Sequence, residues 1–342
     1  MNLKNLNVTT KIPKILKDKL KNKRIKQIYK KFDDNLDILE NFAVAVSGGP
    51  DSLALAFLAK IYSLKNNLKT KFFIVNHNLR NDSTLEALKV QKILKRHSID
   101  TKILIWKGKK PTKNVQSLAR KKRYELLFEE SDKFKINNVL IGHHQDDLLE
   151  NFFIRILRGS GLKGLISLDK KSIIGNKVLI RPLINQKKDD LVFVANFVFN
   201  FYVEDPSNSN EKFQRIKIRN LISELQKEGL DKKKFNKTIK NLKYSDEVIN
   251  FYVDQNLKKN TFLIKKKGKL ILKNQYFMQP YEVIFRSFSK SIKEIGKKFY
   301  PVRGKKLDRI ISNIQKDRLS KQTIGGCVIE RVSQTIIITK ER

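Results

Sequence analysis

The sequence predicts an α/β chain: a Rossmann-like parallel sheet with helices on both faces, then a helical segment and a small α+β C-terminal domain. Three observations predict it. Between residues 42 and 183, short apolar runs alternate with helical stretches, the pattern of βαβ units around a buried parallel sheet. The first apolar run ends in two glycines and leads straight into a helical pattern, as a strand-to-helix ligand turn does. From residue 261 the pattern changes to strand, glycine turn, strand, then basic helices.

The elements follow in order. Residues 1–31 carry eleven basic side chains against one acid, Asp18, and the mixture of Ile, Leu and Lys over 11–29 fits a basic helix, either a solvated face or a nucleic-acid arm. "FAVAV" (Phe42–Val46) is a buried strand, with a helix from about Asp51 to Leu64. Further strands are expected at 71–76, 101–106 and 137–142, with helices over 83–96, 114–134 and 145–157, and "KVLIRPL" over 177–183 is a fifth strand. Helices are expected at 187–201, 213–227 and 231–259, then a strand pair from 261, helices at 281–295 and 303–314, and a closing hairpin. The domains drawn from this are a basic extension (1–40), the α/β domain (41–210), a helical linker expected also to bind nucleic acid (211–260) and a small basic domain (261–342). Residues 261–342 hold 20 basic and 6 acidic residues, a net of +14.

Composition narrows the partner class. Lys and Arg number 73 against 34 acids, a formal charge of +39, and such a field favours a polyanion. The single cysteine, Cys327, excludes an internal disulfide and any Cys-x-x-Cys metal or redox site. No apolar run reaches the length of a membrane span, and no apolar stretch follows the lysine-rich start, so the expected setting is the cytoplasm, with no membrane partner.

In open parallel sheets, sites lie outside the carboxyl ends of the strands. Three polar clusters follow three predicted strands: Ser47, Gly48, Gly49, Pro50, Asp51 and Ser52; the segment from Asn76 to Arg80; and the run from Gly142 to Asp147. All three should converge on one rim. The first is an anion cradle: glycines let backbone approach a ligand, and amides at a helix start face it. Asp51 inside such a cradle implies a cation beside it, either Mg²⁺ or a cationic substrate. Asp146 and Asp147 suit a helix N-terminus, and as adjacent carboxylates they also suit Mg²⁺ or an ammonium. Three of four histidines (His77, His143, His144) fall in these clusters, whereas His97 ends a helix. Arg120 and Arg123 share the helix beginning "NVQSLARKKRY", and Arg215 and Arg219 lie four apart on one helix face, a spacing suited to RNA phosphates.

"SGGPDS" resembles the PP-loop of the N-type ATP pyrophosphatases. "NHNLR", "NVQSLARKKRY", "GHHQDDLLEN", "RPL" and "DPSN" occur in the order found in tRNA(Ile)-lysidine synthases, and "TIGGCVIE" is similar to the end of that family. The resemblance implies a PP-loop ATPase fold for residues 41–210. It also implies ATP and Mg²⁺ as cofactors, and free L-lysine and the CAU-anticodon tRNA(Ile) as partners. The oligomeric state stays open, a homodimer among the options. The implied reaction joins lysine to C2 of the wobble cytidine, C34, through an adenylated cytidine, changing codon reading from AUG to AUA. The resemblance places nucleotide on residues 47–52, Asn76, Arg120 and Gly142; Mg²⁺ on Asp51 and Asp147; lysine and proton transfer at Asp51, Asp146, Asp147 and His143; and tRNA on Arg80, Arg123, Arg215 and Arg219. The rival is a sulfur-inserting tRNA enzyme of the same superfamily, which uses cysteine pairs or an iron–sulfur cluster. The lone cysteine, outside every rim motif, argues against it.

Overall fold

The computed structural model describes residues 12–79, 82–108, 114–204, 214–264, 268–298, 302 and 304–341. Two compact units are present, residues 1–230 and 231–342.

In the first unit, six strands form one sheet in the order β3-β2-β1-β4-β6-β5. These are β1 (Phe42–Val46), β2 (Thr70–Asn76), β3 (Thr101–Ile105), β4 (Asn138–Leu140), β5 (Lys171–Ile174) and β6 (Lys177–Ile180). The first four and β6 run parallel, while β5 pairs antiparallel with β6 at the edge. The β5 strand is absent from the sequence expectations. Its residues are only partly buried, so no strong apolar signal marks it.

Successive residues of a strand face opposite sides. Phe42, Val44 and Val46 of β1 enter a core shared with α2 (Lys23–Asn35), α3 (Pro50–Lys65), α4 (Ser83–Arg96) and α8 (Lys188–Phe199). Ala43, Phe73, Val139 and Leu179 face the other side, where Leu127 of α5 (Val115–Asp132) covers them. Strand order reverses between β1 and β4, the switch point where such sheets hold ligands. The loops after β1 and β4 flank it.

The basic N-terminal stretch is part of this core. It forms two helices, α1 (Lys14–Lys19) and α2, because the Asn22 side chain accepts from the N–H groups of Arg24 and Ile25 and starts a new helix. Ile25, Ile28, Tyr29 and Phe32 are buried. Arg24 binds Asp190 at 2.8 Å and lies over the Phe193 ring, so the start of α8 is tied down.

The remaining helices of the first unit are α6 (Gln145–Leu157), the short α7 (Leu162–Leu165) and α9 (Gln214–Lys227). The second unit opens with α10 (Lys232–Asn260), followed by β7 (Thr261–Ile264), β8 (Lys269–Leu272), α11 (Tyr281–Gly296), α12 (Gly304–Gln315), β9 (Gln322–Ile324), β10 (Cys327–Val332) and β11 (Thr335–Lys340). Its strands make one antiparallel sheet, β7-β8-β11-β10-β9. The sequence divisions at 210 and 260 differ from the division after residue 230. The reason is packing: α9 is fastened to α6 by an Arg219–Glu150 ion pair at 2.6 Å, whereas Asn256 of α10 donates to the Tyr276 carbonyl and the Ser287 hydroxyl of the second unit.

Candidate active site

The loop after β1 is closed on itself by Ser52. Its hydroxyl donates to the Gly49 carbonyl at 2.9 Å and accepts from the Ser47 N–H at 3.1 Å and the Ser47 hydroxyl at 3.2 Å. With its one proton directed at Gly49, the Ser52 hydroxyl fixes the loop's curvature. Gly48 has φ +88°, and a Cβ there would lie 2.7 Å from Val90 Cγ2 and 3.0 Å from Val203 Cγ2. The Val203 N–H donates to the Gly48 carbonyl at 2.9 Å, pinning the turn from a second direction. Pro50 takes the first helical position of α3, where its missing N–H costs nothing. The amides at the start of α3 therefore have a fixed direction, the requirement for a polyphosphate cradle.

Gly142 sits after β4. A Cβ on it would lie 3.2 Å from the Asp51 carbonyl carbon and from the Ser52 nitrogen. Its service to the site is this close approach, which sets the second rim loop against the first.

That second loop brings carboxylates to the cradle. His144 caps α6: its Nδ1 accepts from the Asp146 N–H at 3.2 Å, while its own N–H donates to Asp147 Oδ2 at 2.9 Å. With Nδ1 accepting, the donor nitrogen of the ring is Nε2. That atom lies 3.7 Å from both Asp51 Oδ2 and Asp147 Oδ2. One imidazole thus collects a carboxylate from each loop. Burial alone would raise the Asp147 pKa, but His144, His143, the His144 N–H bond and Arg215 outweigh it and hold it below the usual carboxylate value. Asp146 lies in the same first turn of α6.

The cation implied by Asp51 has a partner within the chain. Lys188 Nζ, at the start of α8, donates to both Asp51 oxygens at 2.8 and 2.7 Å.

His143 is locked differently. Its Nδ1 accepts from Arg181 Nε at 3.1 Å, and Arg181 also donates to the Asp169 carbonyl at 2.7 Å and the Ser172 hydroxyl at 2.8 Å. Burial pushes the imidazole down; Asp147 pulls the other way, while Arg181, Arg120 and Arg215 add to the depression, leaving it at about 3. A neutral ring with Nδ1 already accepting presents an N–H at Nε2, so its geometry is that of a hydrogen-bond donor and not of a base.

The predicted basic residues divide. Arg120 is exposed on α5 over the Tyr124 ring, and Arg215 is exposed in the first turn of α9. Both act on the His143 charge, so they share its rim. Arg123 donates to His77 Nε2 at 3.3 Å. Arg219 pairs through Nε with Glu150, whose carboxylate is buried, and so anchors α9 while its side chain stays half exposed. Asn76 is buried, accepting from the Asn78 N–H and donating to the Thr84 hydroxyl, both at 2.9 Å. It shapes the turn after β2. Arg80 lies outside the described residues, as does all of "DPSN".

A family model for a PP-loop domain matches residues 17–225, more than half of the chain. A tRNA(Ile)-lysidine synthase of Orientia tsutsugamushi (strain Boryong) is 32% identical over 312 residues, covering 87% of this chain and 69% of the relative. Those of Wolbachia sp. subsp. Brugia malayi (strain TRS) and Rickettsia akari (strain Hartford) are also 32% identical, with 73% and 74% of their lengths covered. The chain belongs to the tRNA(Ile)-lysidine synthase family. It is therefore an enzyme of that family, with an ATP-binding PP-loop domain. Among solved structures, the U34-tRNA thiolase from Methanococcus maripaludis matches with a TM-score of 0.56 over 66% of this chain and 80% of that one, at 22% identity. That likeness concerns the fold.

The lysidine synthase motifs leave four site residues without a predicted role. His144 stands beside His143, the histidine that the resemblance implicates. The spacing from His144 to Asp147 is that of a capping box, a signal available in the sequence. Arg181 and Glu150 lie inside quoted motifs, but nothing local reveals that they are buried partners. Lys188 is one lysine among many, 137 residues from the carboxylate it binds. Among the described residues, no helix is long and apolar enough to cross a membrane.

Proposed function

We propose that the protein ligates free lysine to C2 of the wobble cytidine, C34, in the CAU-anticodon tRNA(Ile), consuming ATP and releasing AMP and pyrophosphate. The observation that carries this reading is the meeting of an anion cradle with carboxylates from two rim loops on His144, in a chain of the lysidine synthase family. Such a site has one feature for a polyphosphate and another for an amine.

The steps follow from charge. ATP rests its phosphates on the amides of residues 47–52. The C2 oxygen of C34 attacks the α-phosphorus, forming an O–P bond as the bond to pyrophosphate breaks. The lysine ε-amine then attacks C2; an N–C bond forms, the C–O bond breaks, and AMP leaves. A lysine amine is protonated at neutral pH, with a pKa of about 10.4. A carboxylate must hold the ammonium and accept a proton, and Asp51, Asp146 and Asp147 are the groups in reach of the cradle. His143 donates a hydrogen bond through Nε2.

Mg²⁺ enters this reading with ATP. It is held in such sites by one or two carboxylates together with substrate phosphates. Asp51 and Asp147, gathered on one imidazole, fit that donor set, and among the described residues no larger His, Cys, Asp and Glu group is arranged around a metal. When bound, Mg²⁺ supplies charge neutralisation at the phosphates. Arg120, Arg123 and Arg215 support a phosphodiester contact beside the cradle, and the C-terminal unit supplies further positive charge for the tRNA body.

Purified protein given ATP, labelled lysine and CAU-anticodon tRNA should incorporate lysine, and replacing C34 with U should abolish the signal. Absence of both lysine incorporation and ATP–pyrophosphate exchange would sink the proposal. The sulfur-insertion alternative has its own test. Cys327 is buried in the second unit, donates to the Ile292 carbonyl at 3.3 Å, and has its thiol pushed up to about 11 by burial and Glu341. Cys327→Ser should leave lysine incorporation within about twofold while costing about 1–2 kcal/mol of stability. Loss of activity from a folded variant would favour thiol chemistry.

A further inference from the structure

Asp51 has a cation that belongs to no substrate. Lys188 grips both of its oxygens, although the cradle's logic requires that carboxylate for an incoming charge. A plain structural reading is that the pair fastens α8 to α3. The packing makes that fastening redundant. Leu191, Val194, Ala195, Val198 and Phe199 of α8 are already buried in the core that α3 fills, and Arg24 holds the start of α8 through Asp190. The Lys188 backbone is thus fixed by other contacts, while its side chain remains 37% exposed on a flexible four-carbon stem. Its ammonium can move without the fold moving.

The surroundings explain why a movable charge is useful here. Asp51 and Asp147 both approach His144, and Arg219 is held by Glu150 within their field. An unpaired Asp51 would repel ATP phosphates arriving a few ångströms away. Paired with Lys188, it is neutralised until the nucleotide binds.

We propose that Lys188 is a positioning residue: a tethered counter-ion that neutralises Asp51 in the nucleotide-free enzyme, releases it when ATP arrives with magnesium, and then turns its ammonium to the polyphosphate. Lys188 therefore competes with magnesium for Asp51 and assists the nucleotide afterwards. This rests on the reading of residues 47–52 as the ATP cradle.

The two effects have opposite signs, which a merely structural ion pair would not produce. Lys188→Met keeps the stem and removes the charge; Lys188→Arg keeps a charge. Binding of a fluorescent ATP analogue is measured at equilibrium without tRNA, across a magnesium titration, alongside the thermal midpoint. For Lys188→Met, the half-saturating magnesium concentration should fall by about threefold, the size of an exposed pair. Analogue affinity at saturating magnesium should weaken by about tenfold, as loss of a charge-assisted phosphate contact implies. Lys188→Arg should recover most of that affinity. A folded Lys188→Met protein with unchanged magnesium dependence overturns the inference, as does a parallel loss of magnesium and nucleotide binding. If Met does not fold, Lys188→Gln is titrated in its place: a lower magnesium midpoint together with weaker analogue affinity supports the tethered charge, and an unchanged magnesium midpoint or a parallel loss of both overturns it. Binding here is read without lysine or tRNA, so the ligation proposal can fail in its own assay while this result stands.

Discussion

Asp51→Asn is expected to reduce lysine incorporation and ATP–pyrophosphate exchange by about 10²–10³-fold, the effect of removing one preorganised electrostatic group from a reacting centre. Asn preserves the shape and removes the charge. The fold should tolerate it: Asp51 is partly exposed, its pair with Lys188 is of the solvent-accessible kind, and such pairs contribute about 1 kcal/mol or less. The predicted signature is a thermal midpoint near wild type with activity nearly absent. Exchange kinetics and a melting curve on the same preparation check it. Near-normal exchange in the Asn variant would remove Asp51 from the chemistry and leave Asp147 as the principal carboxylate.

Gly48→Ala should be severe for a different reason. The residue has φ +88°, which an L side chain reaches at a cost of about 1–2 kcal/mol, and the added methyl would meet Val90 at 2.7 Å and Val203 at 3.0 Å. Overpacking of this kind costs about 1–3 kcal/mol more. Together these predict a loss of about 2–5 kcal/mol of stability in the first unit. The same strain moves the loop amides, so nucleotide affinity should be lost under conditions where the variant is still folded. Chemical denaturation and analogue binding measure the two effects. A variant as stable as wild type with intact binding would show that the turn relaxes at no cost.

These two substitutions bear on what the sequence could reveal. The turn at Gly48 and the helix behind it were legible because glycine, proline and serine spacing encodes local backbone geometry. The parallel sheet was legible for a similar reason: buried strands read as short apolar runs, and β1 to β4 and β6 coincide with the predicted segments, β2 starting one residue earlier. The edge strand β5 was not, because a half-exposed strand carries little apolar signal. The N-terminal segment was ambiguous between a free basic arm and a packed helix. Its apolar residues recur with helical spacing, but only the surface provided by α3 and α8 buries Ile25, Ile28 and Phe32.

The site divides along the same line. The shared edge of the three polar clusters followed from strand polarity, β1 running parallel to β2 and β4, and the clusters after β1 and β4 meet on His144. The partners within the rim did not follow. Nothing local in the sequence directs the Ser52 proton at the Gly49 carbonyl. Asn76 bonds the Asn78 N–H and the Thr84 hydroxyl, partners that the motif does not specify. Arg219 had the spacing of a phosphate contact, yet it binds buried Glu150. A side-chain hydrogen bond depends on neighbours distant in sequence and on depth below the surface, and residue spacing records neither.

By itself, then, the sequence determined the α/β class, the order of the strands along the chain, the cradle at residues 47–52 and the resemblance to lysidine synthases, because those properties are written in local periodicity and contiguous motifs. Only the tertiary structure decided that Asp51 and Asp147 meet on His144, that Lys188 supplies the cation at Asp51, and that His143 is held by Arg181 as a neutral donor. Charge pairing acts through space over a few ångströms. The fold brought together groups separated by tens to more than a hundred residues, and it did so by burying the apolar faces of helices whose sequences contain no reference to those partners.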